Sequence, residues 1–287
     1  MTTTVTLDVF SGRPNPTWQL SEQQDQELTE RMSSAKTLTA QRPSGVFGGL
    51  GYRGFVLSRS VDHHRGPLKI TAHEGILDHG SAGPNIVDDV GLESWLAGIG
   101  ASQLPEAVRD FLPSQLAARG ASSIFKFPLT VTPACPPNHA PDAPAYNPGQ
   151  WNIPTVQPYN NCYNYANNRI TNTFAQPGRA TGHQATVMAC PNVSSGATSD
   201  GLRSVPNFSG TLPAGGGWYV ALVIWPNSDY HWYRQDNVGC WSHKPGQTAA
   251  RNVDNSGHAI SDPKTCDRGP YTVFCTYMVT NHSVHIS

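Results

Sequence analysis

Charge is scarce in this chain. Asp, Glu, Lys and Arg make up 14% of its 287 residues, with 19 basic against 20 acidic groups and a net charge of −1. A general nucleic-acid or anionic-membrane binder needs an excess of Lys and Arg, so neither class is expected. No run approaches the roughly 18 apolar residues of a spanning helix, so no integral membrane segment is expected. The start, Met1-Thr2-Thr3-Thr4-Val5, has neither a basic nor an apolar leader region, so no secretory signal is expected. Cysteine is absent before Cys135, and no CxxC pair occurs, so a structural zinc site is not expected. Low charge does not mean disorder here. Apolar residues reach 38%, and seven Trp and ten Tyr can fill a core.

Composition shifts along the chain. The last glutamate is Glu106, all six cysteines lie at or after Cys135, and sixteen asparagines follow from Asn138. Residues 133–145, with Pro133, Pro136, Pro137, Pro141 and Pro144, read as an extended linker. The expectation is an N-terminal α+β accessory unit over 1–132 and a second unit over 146–287. In the first, Thr3–Phe10 alternates like a strand. Ser11-Gly12-Arg13-Pro14-Asn15-Pro16 reads as turn chemistry, and Ser21 with Gln24 as a capping box opening a helix. His63, His64, His73 and His79 fit no common metal spacing and read as loop or surface histidines. Nothing in this half reveals a function.

The second half carries more chemistry. Asn160-Asn161-Cys162-Tyr163-Asn164-Tyr165-Ala166 has helix-entry residues ahead of a cysteine. In a first helical turn the dipole and free N–H groups favour a thiolate, as in many cysteine hydrolases. Tyr163, Ala166 and Ile170 recur at helical spacing. A buried or disulfide-bonded structural cysteine fits this segment about equally well.

Trp218–Trp225 is a continuous apolar run and reads as a buried strand. Pro226-Asn227-Ser228-Asp229 is a turn. His231-Trp232-Tyr233-Arg234-Gln235 and Cys240-Trp241-Ser242-His243-Lys244 then read as two strands around a Gly239 turn. A three-residue loop with a left-handed Gly239 keeps His231 and His243 on one sheet face. Two imidazoles there could act as base and orienting group.

This order resembles papain-fold hydrolases of the NlpC/P60 kind, over roughly Tyr146 to Lys244. Cys162-Tyr-Asn-Tyr-Ala is closer to the related CHAP amidases, and Asn161-Cys162-Tyr163-Asn164 stands where the family has Asp-Cys-Ser-Gly. The resemblance implies an α+β, papain-like catalytic unit that cleaves an amide in a peptide, protein or cell-wall peptide through a thioester. It implies Cys162 as nucleophile, His231 as general base and His243 as orienting residue. Gln157 and Tyr159 become oxyanion candidates, and Asn252 or Asp254 alternative third members. No cofactor or metal is implied.

If Cys162 is the nucleophile, the other five cysteines allow at most two bridges and one further unpaired thiol. Low lysine with high Asn, Gly and Pro leans towards an extracellular or exported location. Two alternatives stand beside the hydrolase. One is an acyl or amide transferase on the same fold. The other is a non-catalytic, disulfide-stabilised binding or structural module.

Overall fold

A computed structural model describes residues 2–37, 49–59, 68–79, 86–117, 135, 140–205, 207–208, 212 and 215–287. His63, His64 and most of the Pro-rich segment lie outside these residues. The chain forms two compact units. The first comprises Met1–Val9, Asn15–Phe47 and Tyr52–Phe125, and the second Phe10–Pro14, Gly48–Gly51 and Lys126–Ser287. Both are mixtures of helices and antiparallel strands.

In the first unit, seven strands pair antiparallel among the described residues: β1 (Thr3–Leu7), β2 (Thr17–Gln19), β3 (Lys36–Thr37), β4 (Phe55–Arg59), β5 (Leu68–His73), β6 (Ile76–Asp78) and β7 (Ile86–Val87). Their order is β2-β1-β4-β5-β6-β7-β3. Alternation in β1 buries Thr3, Val5 and Leu7 and leaves Thr4 and Thr6 half-buried, the period-2 pattern of a one-sided strand. Helix α1 (Glu22–Ser34) starts at the capping box. Ser21 Oγ accepts from Gln24 N at 3.2 Å, and Gln24 Oε1 accepts from Ser21 N at 2.9 Å. Helices α2 (Leu92–Gly100) and α3 (Glu106–Ala117) bury Leu92, Leu96, Val108 and Leu112.

The second unit is built on β9 (Trp218–Trp225), whose eight residues are all buried. β10 (Asp229–Gln235) and β11 (Trp241–His243) follow it on one side. β12 (Val273–Thr280) and β8 (Arg203–Ser204) lie on the other, giving the order β11-β10-β9-β12-β8. A continuous apolar strand therefore sits in the middle of the sheet, where both faces need covering. Among its described residues this unit carries the α-helices α4 (Pro148–Trp151), α5 (Cys162–Ala166) and α6 (Cys190–Ser199). Tyr163 and Ala166 of α5 share a core with Val193, Leu222, Ile224 and Trp232.

Two disulfides fasten the unit. Cys190–Cys275 ties the start of α6 to β12, and Cys135–Cys240 ties the Pro-rich segment to the start of β11. Ala140 and Ala143 enter the core, and Asp142 accepts from Gly217 N at 3.1 Å. Cys162 and Cys266 are unpaired thiols. Among the described residues no helix is long and apolar enough to cross a membrane.

Candidate functional site

The β10–β11 hairpin closes as its sequence suggests. Asp236 N donates to Cys240 O at 2.8 Å, and Gly239 N to Asp236 O at 2.9 Å. Asn237-Val238-Gly239 is thus a three-residue loop, with Gly239 at φ +89°. Tyr233 pairs with His243, which places His231 and His243 diagonally on one face. Their rings meet, His231 Nε2 lying 2.9 Å from His243 Nδ1.

The chain of bonds continues at both ends. His231 Nδ1 lies 2.5 Å from Ser11 Oγ, and His243 Nε2 lies 3.0 Å from Val253 O. A carbonyl only accepts, so His243 Nε2 carries its hydrogen. Nδ1 of a neutral His243 then accepts from His231 Nε2–H. With His231 neutral as well, Ser11 Oγ–H donates into Nδ1. Tyr233 stacks on His243 with ring centroids 4.9 Å apart and meets His231 edge-on at 4.6 Å. All four side chains are buried.

Burial drives the His243 imidazole down to about 3, and the nearby Arg251 charge acts in the same sense, against the Val253 carbonyl. An imidazolium would also point a second N–H at the donor of His231. The folded state therefore holds His243 neutral, while the unfolded chain takes up a proton below its ordinary 6.5. Stability from this group is complete above pH 6.5 and is lost as pH falls from there towards 3. The slope is about 1.4 kcal/mol per pH unit. We expect denaturation midpoints measured between pH 7 and 4 to fall steeply in the wild type and more gently in His243→Gln.

Helix α5 is shorter than its apolar spacing suggests. It ends at Ala166, where Asn167 turns its amide back onto Tyr163 O at 2.9 Å, and Asn168 follows at φ +50°. Ile170 is consequently exposed. Asn161 caps the helix start. Its Oδ1 accepts from the N–H groups of Tyr163 and Asn164, and its Nδ2 donates to Gly12 O and Ala175 O. Asn161→Ala leaves these four partners without it in a dry interior. The expected loss is about 3 kcal/mol of unfolding free energy, measurable by urea denaturation.

Cys162 is the first residue of α5, as expected, and is fully buried. One and a half helical turns carry little dipole, and burial dominates. It pushes the thiol up to about 12, helped by the charge of Asp229. The Trp232 backbone, the Ser11 side chain and Lys244 pull the other way and do not restore it. Both ring nitrogens of His231 are engaged, by Ser11 and by His243.

The remaining candidates lie nearby in other roles. Gln157 O accepts from Lys244 Nζ at 2.6 Å, and Gln157 Nε2 donates to Gln247 O. The Tyr159 side chain is exposed, while its carbonyl accepts from Phe174 N. Asn252 is exposed, and its carbonyl accepts from Ile260 N. Asp254 caps a turn, accepting from Ser256 N, His258 N and Asp267 N. The partner on the far side of His243 is the carbonyl between them, that of Val253. Among the described residues no group of three or more His, Cys, Asp or Glu could share a metal ion.

Sequence reasoning missed three participants. Ser11 lies 220 positions before His231 in a segment that reads as a turn, and no local signal links them. Asp229, fully buried, accepts from Tyr271 OH at 2.6 Å and from the backbone of residues 11–13. A lone Asp opening an aromatic strand was the available signal. Lys244 is buried with its ammonium on three carbonyls, those of Gln157, Asn160 and Gly246.

No family model matches the chain, and no solved structure matches it. A curated protein does. Insoluble matrix shell protein 1 of Ruditapes philippinarum is 50% identical over 133 residues, 46% of this chain and 87% of the relative. This relationship overturns the amide-hydrolase reading and the thiol-dependent amidase or peptidase activity that went with it. The buried, protonated thiol accords with that correction. At this identity and coverage, the chain belongs to the family of Insoluble matrix shell protein 1.

Proposed function

We propose that this protein is a non-catalytic, disulfide-stabilised structural component of an insoluble extracellular matrix. The observation that carries this reading is the relationship to a protein named for an insoluble shell matrix. The two disulfides of the second unit support an oxidising, extracellular setting. The centre around Cys162 supports a packing role. Its thiol is buried, the His231 imidazole is bonded at both nitrogens, and the hydrogen-bond chain through His243 ends on a backbone carbonyl.

On this reading the second unit is a papain-like scaffold put to structural use. Cys162, His231 and His243 lock α5, β10 and β11 together, and residues 1–132 serve as an accessory unit. The test is extraction. An antibody against the chain is expected to find it in the extracellular residue left after detergent and salt washes. Recovery of the chain only from the soluble fraction would overturn the proposal.

A further inference from the structure

The chain leaves the first unit after Val9, gives Phe10–Pro14 to the second, and re-enters the first at Asn15. Within the second unit this segment is held much as a peptide is held by a receptor. The N–H groups of Ser11, Gly12 and Arg13 converge on the Asp229 carboxylate at 2.5, 3.1 and 2.9 Å. The Gly12 carbonyl accepts from Asn161 Nδ2 at 2.8 Å, Gln176 Nε2 at 2.8 Å and Tyr230 OH at 3.1 Å. A Cβ on Gly12 would stand 2.4 Å from the Tyr230 ring, so the cleft admits only glycine there. Ser11 Oγ completes the His231–His243 chain, and Arg13 Nη1 donates to Ser228 O at 2.6 Å.

The cleft thus recognises a Ser-Gly-Arg backbone and two of its side chains. Every recognising group belongs to the second unit. The recognised segment is a short excursion, continuous on both sides with chain of the first unit, and Pro14 and Pro16 hold its exit extended.

We infer that the same cleft takes Phe10–Pro14 from a second copy of this chain, so that copies are linked by segment exchange. The inference rests on the structural reading above and names the partner. Contacts made between copies are the same as those made within one, so exchange forfeits none of them. The balance is set by the effective concentration of the tethered segment against the concentration of other copies, and dense packing in a matrix favours the latter. Donor segment and acceptor cleft are different patches. The contact is therefore heterologous and extends into rings or open chains of molecules, or closes reciprocally into a dimer.

The test uses the full chain in solution, with masses read by light scattering and sedimentation. In the wild type the dimer-to-monomer ratio is expected to rise roughly in proportion to free monomer concentration. Excess synthetic peptide spanning Asp8 to Pro16 is expected to return the protein to monomer. Gly12→Val spoils the donor and keeps the cleft, while Asp229→Ala spoils the cleft and keeps the donor. Each alone should stay monomeric, and an equimolar mixture should give heterodimer. If either variant fails to fold, peptide competition on the wild type still decides.

A wild type that stays monomeric at every concentration would overturn the inference. So would oligomers that ignore the peptide and form equally in Gly12→Val. The two readings fail separately. Peptide-sensitive oligomers with no chain in the insoluble residue would sink only the matrix role. Matrix-bound protein that is monomeric when soluble would sink only the exchange.

Discussion

Cys162 in the native protein is expected to react with iodoacetamide about a thousandfold more slowly than an ordinary thiol. The thiolate is the reacting species, and burial moves the thiol from 9.0 up to about 12. Each unit removes roughly ninety per cent of the remaining thiolate at neutral pH. Asp229, itself fully buried, contributes to that rise, because negative charge nearby opposes ionisation. The measurement is a time course at pH 8 with adducts mapped by mass spectrometry. The same cysteine in guanidinium should label at the ordinary rate, which separates burial from any chemical block. Cys266, also pushed up to about 12 mainly by burial, should be slow as well. Rapid, selective labelling of native Cys162 would mean an exposed and activated thiol, and the packing role assigned to it would be wrong.

Loss of either disulfide is expected to lower unfolding free energy by about 4.5 kcal/mol. The bridges close long loops, 105 residues for Cys135–Cys240 and 85 for Cys190–Cys275. A long loop closed in the unfolded chain removes much of its conformational freedom, which is why spans of this size have large effects. The two loops overlap between residues 190 and 240, so removing both should cost less than the sum. Urea denaturation of the Cys190→Ser, Cys275→Ser double variant against wild type gives the first value. A difference below about 1 kcal/mol would show that the unfolded state is already compact, and that the bridges contribute little.

Local signals were legible in the sequence, and long-range ones were not. The capping box at Ser21 and Gln24, the buried strand at Trp218–Trp225 and the Gly239 loop each depend on neighbours a few residues apart. The shared face of His231 and His243 follows from strand parity once the loop length is known. Ile170 falls outside α5, because apolar spacing says where a helix could pack, not where Asn167 and Asn168 stop it. The state of Cys162 was misjudged for a related reason. A helix start favours thiolate only when the helix is long enough and water or a charge can reach the sulfur. Sequence gives neither burial nor the 220-residue contact to Ser11. The types and order of Cys and His alone suggest a hydrolase. In the fold His231 and His243 are buried and bonded to each other, to Ser11 and to the Val253 carbonyl, and Cys162 is buried in the apolar core.

The most direct test of the structural role is deposition of variants into the insoluble matrix, measured as the fraction of labelled protein that resists extraction. Cys162→Ala, checked for native secondary structure, is expected to deposit like wild type, whereas the Cys190→Ser, Cys275→Ser variant is expected to be lost from the residue. A folded Cys162→Ala that no longer deposits, beside disulfide variants that still do, would show that thiol chemistry rather than a stapled scaffold carries the function.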